Sequence, residues 1–308
     1  MRKLLISTIL LLGFQTGGFS QENLQLLTSY LEEARTQGTQ TLPQSVLVSI
    51  TENERDFFIL IESYLTDSSD GVKYRTYKLL HQVGQRSSSE SLRQRVVATL
   101  LNGIEDEAVA VPCSGYLGQY AKDDFVPSTF NTLIRLVEKG VGPYVPMIKL
   151  AGYLDQTQVL PKLSRNLLED KLNDTERWAT YLVLARMSDP AAIDFVERQA
   201  LAVSLNDEVI SELFEDLAFT RQKRLVQLIV ETVLSDATQC VSASNDDDGE
   251  IPCAYRAMEF LPGLISDFPW QRDVTGDLAV DDYEMALINI RTWLTTHPNF
   301  EVDRSGFE

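Results

Sequence analysis

An apolar pattern with helical spacing recurs along most of this sequence, and it constrains the fold more than any other feature. The pattern is clearest in residues 109–117, 144–154 and 178–187. Each of these segments is followed by a short polar break and a second apolar segment, which is typical of a helix-turn-helix repeat. Strand signals are nearly absent, because no run of alternating apolar residues is bounded by hairpin turns. The sequence therefore predicts an all-α fold.

One apolar position late in the first helix of each repeat sets the register. The spacings are 34, 37, 33, 30 and 44 residues between Val83, Leu117, Leu154, Met187, Leu217 and Leu261. Residues that favour helix starts precede these positions, namely Asp70, Asp106, Gly142 with Pro143, Thr175, Asp207 and Gly249 with Glu250. Asp and Thr cap the free N–H groups at a helix start, and Pro fits the first turn of a helix. Asp189 with Pro190 likewise indicates the start of a second helix. We therefore predict about six stacked helical hairpins.

This period, the paired helices and the Gly-Tyr-Leu and Ala-Arg-Met helix ends resemble HEAT-like α-solenoids, including the shorter phycobilisome-lyase-type HEAT repeats. The resemblance covers residues 67–270. It implies a right-handed α-α superhelix of the HEAT-like or armadillo type that serves as a scaffold for another macromolecule, and it implies no catalytic residues. The tetratricopeptide signature is not matched, since its Trp, its spacing to Tyr and its later Ala/Phe pattern differ here.

The start of the chain has the form of a secretory signal peptide over residues 1–20. A basic beginning with Arg2 and Lys3 precedes an apolar run, and small residues stand before Gln21. A first helix of the fold or a membrane anchor is the disfavoured alternative, because the run is too short to span a bilayer. No cysteine stands at the cleavage point for lipid attachment, and no later apolar run is long enough for a transmembrane helix. We therefore expect an exported protein, periplasmic or secreted, with no transmembrane segment in the mature chain.

Segments on either side of the repeats predict capping elements. Residues 21–66 carry two amphipathic segments, which we interpret as N-terminal capping helices. Residues 271–308 predict a C-terminal capping helix over 281–296, followed by a polar, mobile tail from Phe300 to Glu308. Capping helices cover the apolar face that the end of a repeat array exposes.

The charge of the chain excludes one class of partner. The formal charge is −18, and removal of Arg2 and Lys3 with the signal peptide makes it −20. Nucleic acids and anionic lipids need clustered Lys and Arg to displace their counterions. The sequence therefore disfavours nucleic acid as a partner.

The longest insertion in the repeats, residues 236–250, is acidic and is flanked by two cysteines. In an exported protein Cys240 and Cys253 predict a disulfide, which would stabilise the fold by about 3 kcal/mol. The third cysteine, Cys113, lies on an apolar helix face and is interpreted as a buried, inert thiol rather than a nucleophile or redox sensor.

The same insertion holds a partial calcium-loop pattern. Ser244, Asp246, Asp248 and Gly249 fall on positions one, three, five and six of that pattern, but the twelfth position is Tyr255 instead of Glu. A solvated acidic loop is the favoured interpretation. A cation-dependent ligand or polysaccharide binder that uses residues 244–250 stays open as the alternative function.

Catalytic motifs are absent from the sequence. The chain has two histidines, His81 and His297, and no nucleophile elbow, zinc-protease motif, P-loop or dinucleotide fingerprint. Paired acids are uninformative, because 45 carboxylates make any sequence pairing meaningless without geometry. We expect a non-catalytic protein without a cofactor or bound metal.

A basic stripe on the second helices is the predicted binding surface for a protein partner. Its residues are Arg135, Lys162, Arg165, Arg198, Arg221, Lys223 and Arg224. Such a stripe on an acidic molecule could dock an acidic partner by charge complementarity. Pairing of these residues with acids on neighbouring helices is an equally weighted alternative. Tyr74, Tyr116, Tyr144, Tyr153 and Tyr181 recur on the first helices, where packing is favoured over partner contact.

Overall fold

The computed structural model describes residues 20–36, 41–241 and 250–307 of the chain. These residues are mostly helical, with fifteen α-helices and one two-stranded sheet among them. They form two compact units that divide between Val96 and Val97. The predicted signal peptide lies outside the described residues apart from Ser20, and so do residues 242–249 of the acidic insertion.

The first unit contains one helix more than the sequence analysis predicted. Its helices are α1 (Gln21–Glu32), α2 (Gln44–Glu52), α3 (Glu54–Leu65) and α4 (Asp70–Arg86), while α5 (Glu90–Gly103) contains the division point. α2 was not predicted from the sequence. Its apolar positions include the β-branched Val46, Val48 and Ile50, and β-branched residues have a lower preference for helices. α1 packs against α2 and α4, and α3 packs against both α2 and α4. Between α1 and α4, the Arg35 guanidinium donates two hydrogen bonds to the Asp67 carboxylate, at 2.8 and 2.5 Å.

The second unit is a series of packed helix pairs. Its helices are α6 (Ala110–Leu117), α7 (Pro127–Lys139), α8 (Tyr144–Tyr153), α9 (Leu160–Leu168), α10 (Asp174–Arg186), α11 (Pro190–Leu201), α12 (Asp207–Thr220), α13 (Lys223–Leu234), α14 (Ala254–Ala257) and α15 (Tyr283–Thr296). The even-numbered helices pack one on the next: α6 on α8, α8 on α10, α10 on α12 and α12 on α14. α7 pairs with α8, α11 with α10, and α13 with α12. This is the packing that the repeated apolar stripe favours.

Local signals explain where several of these helices begin and end. Asn173 caps α10 by accepting the Glu176 N–H at 2.9 Å, and Asp189 caps α11 by accepting the Ala192 N–H at 2.9 Å. α4 and α12 begin at Asp70 and Asp207, as predicted.

Two glycines form the connection between α7 and α8. Gly140 ends α7 with a φ of +69°, and Gly142 has a φ of +85°. A Cβ on Gly142 would lie 2.4 Å from Cγ2 of Ile104, whereas nothing lies within 4 Å of the equivalent point on Gly140. Gly142 is therefore required both by the backbone angle and by the close approach of Ile104.

The last predicted hairpin takes a different form. Instead of a helix starting at Gly249 and Glu250, the structure has strands β1 (Cys240–Val241) and β2 (Glu250–Ile251), paired antiparallel. Glu250 faces Val241 in this ribbon, so its backbone is extended and the helix start that we predicted there is wrong. Only a single helical turn, α14, follows before a 3₁₀ turn at Met258–Phe260.

The C-terminal segment packs against the second unit, and the prediction of a mobile tail is wrong. Phe300 is 6% exposed, and Val302 forms an isolated bridge with Ile265. The Asp303 N–H donates to the Leu264 carbonyl at 2.9 Å. Through these backbone bonds an extended segment pairs with the loop at 261–265. Such pairing leaves no helical periodicity in the sequence, so it was not predicted.

Candidate functional site

The seven basic residues of the predicted stripe have unlike environments. Arg224 donates to Glu197 at 2.7 Å and to Asp194 at 2.6 Å, and Arg135 donates to Glu105 at 2.7 Å. The bonds of Arg224 join α13 to α11, whereas Glu105 lies in the turn after α5, so Arg135 joins α7 to that turn. Pairing with acids of neighbouring helices is the alternative that was weighted equally with partner binding. Exposed pairs of this kind contribute little to stability.

Of the other members of the stripe, Arg165, Arg198 and Lys223 are exposed, whereas Lys162 is half-buried. Lys162 and Arg165 lie on α9, Arg198 lies on α11, and Lys223 begins α13 with its ammonium 5.1 Å from the centre of the Phe300 ring.

Arg221 is not a surface residue, which corrects its assignment to the partner-binding stripe. Its side chain is 4% exposed, and its backbone has a φ of +52°. Nη1 donates to the Gly263 carbonyl at 2.6 Å and to the Asp303 carbonyl at 3.1 Å. Burial lowers the pKa of this guanidinium. The residue therefore joins the end of α12 to the C-terminal segment.

A second buried arginine lies close to the same segment. Arg186, at the end of α10, is 1% exposed and donates to the carbonyls of Phe219, Phe307 and Gly306. Its guanidinium also lies 4.8 Å from the centre of the Phe219 ring. Burial lowers the pKa of Arg186 to about 10. Because this value is still well above 7, the guanidinium stays charged at neutral pH. Backbone carbonyls and aromatic rings thus stabilise this charge.

An apolar groove lies between the ends of α11, α12 and α13 and the disulfide. It has a volume of about 260 Å³ and is lined chiefly by apolar side chains, among them Leu201, Val203, Leu205, Leu213 and Leu228. Leu201 is 66% exposed and Val203 is 46% exposed. An open apolar groove with exposed leucine and valine at its edge is typical of a surface that binds another polypeptide.

This groove was not predicted from the sequence. Its signal is the apolar alternation of Leu201, Val203 and Leu205, which follows the last turn of α11 where a polar loop is expected. Among the residues that the structure describes, Glu231 is the one acid in the lining.

Cys240 and Cys253 lie at disulfide-bonding distance at the edge of the groove, with their sulfur atoms 2.11 Å apart. Cys253 also lines the groove, so the predicted bridge would hold one of its walls. Of the acidic loop, Glu250 is described and pairs in the ribbon, whereas Ser244, Asp246, Asp248 and Gly249 lie outside the described residues.

The remaining reactive side chains have structural surroundings. Cys113 is fully buried on α6, and burial raises the pKa of its thiol to about 12. The His297 ring stacks on Trp293 with 4.4 Å between ring centres. Within residues 20–36, 41–241 and 250–307, no group of three or more His, Cys, Asp or Glu side chains is placed to hold a metal ion.

The recurring tyrosines of the second unit pack between helices. The Tyr144 hydroxyl lies 3.0 Å from that of Thr180, the Tyr153 hydroxyl donates to the Tyr120 carbonyl at 3.2 Å, and Tyr181 stacks on Phe195. By contrast Tyr74, in the first unit, is 45% exposed.

Comparison of the chain with protein-family models, curated proteins and solved structures gave no match. Among the described residues, none of the helices is long and apolar enough to cross a membrane.

Proposed function

We propose that this chain is an exported, non-catalytic helical-repeat protein that binds a protein partner through the groove between α11, α12 and α13. The observation that carries the proposal is the apolar lining of the groove together with the exposed Leu201 and Val203 at its edge. A groove of about 260 Å³ is smaller than the roughly 300–1,000 Å³ of small-molecule pockets. It suits a few apolar side chains presented by another polypeptide.

The proposed occupant is an amphipathic helix of the partner with apolar anchors on one face and basic residues beside them. Apolar anchors at helical spacing are the usual occupants of such grooves. The basic flank follows from the formal charge of −18 and from Glu231 in the lining. Unlike charges would steer the partner towards the groove, while burial of the anchors would supply most of the affinity.

The helix pairs are proposed to form a right-handed, HEAT-like superhelix. Support comes from the contacts between every second helix from α6 to α14, and from the packing of α8, α10, α12 and α14 with a neighbour in sequence. Stacked hairpins of this kind extend surfaces for macromolecular partners.

Export is supported by the cysteine pair. Disulfides persist in oxidising compartments, and the Cα atoms of Cys240 and Cys253 lie 5.1 Å apart, within the range that a disulfide requires. The mature chain is then expected to begin at Gln21, which N-terminal sequencing of the exported protein would test.

A selection of displayed helical peptides against the mature protein tests the partner-binding site. The test variant is Leu201→Asp, and the matched control is Leu168→Asp, which changes another exposed leucine, 87% exposed, at the end of α9. We expect net basic, amphipathic peptides that lose about tenfold or more in affinity for Leu201→Asp, since a hot-spot anchor contributes about 2 kcal/mol or more. Binding to Leu168→Asp should stay at the wild-type level. Failure to select such peptides, or equal loss in both variants, would contradict the proposal.

A further inference from the structure

A second opening lies on a different face of α12 from the apolar groove. Ser211, Glu215 and Ala218 of α12 line a cleft of about 710 Å³, whereas Leu213 and Leu217 line the groove. The spacing of three and four residues places the first set on one side of the helix. The cleft is therefore a separate site, and an inference about it does not depend on the proposed function.

Arg221 lines this cleft with hydrogen-bonding capacity that the protein does not use. Its two hydrogen bonds to Gly263 and Asp303 both come from Nη1. Nε is buried and has no acceptor among the described residues. A buried donor without an acceptor is unfavourable, and it becomes favourable once an acceptor reaches it. Both bonds come from Nη1, so the edge of the guanidinium formed by Nε and Nη2 makes no hydrogen bond to a described residue. A planar group with two acceptor oxygens fits this edge.

A second guanidinium lines the same cleft. Arg272 is exposed and donates to the Glu259 carbonyl at 3.0 Å. Neither Arg221 nor Arg272 forms an ion pair with any described carboxylate. Burial lowers the pKa of Arg221, the Asp303 carboxylate partly offsets this effect, and the charge of Arg272 lowers the pKa further, as expected for two cations in proximity. An anion between them would relieve this repulsion.

The acids of this region limit the charge of the ligand. Glu215 lines the cleft and is exposed. The Asp303 carboxylate accepts the N–H and O–H of Ser305, at 2.8 and 3.0 Å, and therefore remains ionised beside the site. A doubly charged phosphate would be repelled by both acids, whereas a carboxylate carries one negative charge.

The walls of the cleft determine the chemistry of the part of the ligand that does not contact the arginines. Phe260, Pro262, Leu264 and Phe307 line it with apolar surface. We propose that the cleft binds a small organic carboxylate, whose carboxylate group pairs with Arg221 and Arg272 and whose apolar body packs against Phe260 and Phe307. Since Nε is shielded from solvent, binding includes a small movement of the lining.

Saturation-transfer NMR with phenylacetate as the probe tests this site. We expect phenylacetate to bind with a Kd of roughly 1 mM or below and the neutral phenylacetamide not to bind. Arg272→Gln should weaken phenylacetate binding about tenfold, because it removes a charge-assisted interaction. Arg198→Gln, which removes an exposed arginine of α11 outside the cleft, is the matched control and should leave binding unchanged.

Four further measurements separate the proposal from its rivals. The Arg221 Nε–H resonance, assigned with Arg221→Lys, should move when phenylacetate is added, and Glu215→Gln should tighten binding about twofold. Leu201→Asp should bind phenylacetate like the wild type, which distinguishes this cleft from the groove. The proposal is overturned if phenylacetate does not bind, if Arg272→Gln binds it unchanged, or if inorganic phosphate displaces it at lower concentration.

Discussion

Truncation of Phe307 tests whether the C-terminal segment is part of the folded second unit. The Phe307 ring packs edge-on against Tyr153 and Phe219, with ring centres 5.3 and 6.1 Å apart. Its edge also lies 3.2 Å from the Cβ position of Gly118. The carbonyls of Phe307 and Gly306 accept hydrogen bonds from the buried Arg186. Loss of the ring therefore removes apolar packing next to a buried charge.

The expected effect of Phe307→Ala follows from burial and ring geometry. Truncation of a fully buried Phe to Ala costs about 3–5 kcal/mol. Phe307 is half-buried, so we expect a loss of about 2–3 kcal/mol in the free energy of unfolding, with the two edge-to-face contacts placing it at the upper end. Phe307→Leu keeps most of the apolar volume and should lose about 1 kcal/mol.

Urea unfolding followed by far-ultraviolet circular dichroism measures these differences. The order wild type, Phe307→Leu, Phe307→Ala in decreasing stability is expected, with equal dependence on urea concentration. If Phe307→Ala unfolds within about 0.5 kcal/mol of the wild type, the segment is not packed as described, and the carbonyl contacts to Arg186 lose their support.

Four other measurements test particular features. Gly142→Ala should destabilise by about 2–4 kcal/mol in urea, and Gly140→Ala, equally constrained in φ but without a steric contact, by about 1–2 kcal/mol; equal losses would contradict the close approach at Gly142. Cys113 should not react with a thiol reagent at pH 8 until the protein unfolds, and reaction at the rate of a free thiol would contradict its burial. The free energy of unfolding should fall above about pH 9. There the thiol of the unfolded chain loses a proton, whereas the folded thiol, with its pKa of about 12, retains it. Replacement of Cys240 and Cys253 by Ser should lower stability by about 3 kcal/mol, and an unchanged urea midpoint would contradict a bridge. Calcium or a chelator should leave the melting temperature unchanged, whereas a rise with calcium supports the alternative of a cation-dependent binder at residues 244–250.

The sequence was sufficient where local signals determine structure. The cap at Asp189 and the starts of α4 at Asp70 and α12 at Asp207 follow from short-range signals that residue type alone indicates. The mostly helical fold follows from the repeated apolar stripe in the same way. The proximity of Cys240 and Cys253 was predictable because the inference needs only export and a short loop.

Features that depend on distant contacts were not predictable. Arg221 and Arg186 read as ordinary helix-surface arginines, since their acceptors are backbone carbonyls that the residue types of distant segments do not reveal. The packing of Phe307 depends on a single aromatic ring among polar neighbours, which gives no periodic signal. The basic stripe was predicted from helix order alone, and ion pairs such as that of Arg224 with Glu197 appear only when neighbouring helices are placed.

The bonds between Arg186 and residues 306–307 also determine when the second unit can finish folding. Helical hairpins join residues close in sequence and can form one after another as the chain is synthesised. Arg186, however, donates to Gly306 and Phe307, which are 120 and 121 residues away. Until those residues leave the ribosome, its charge has fewer acceptors in the core of the second unit. Residues 306 and 307 therefore complete the interior of helices that are made more than a hundred residues earlier.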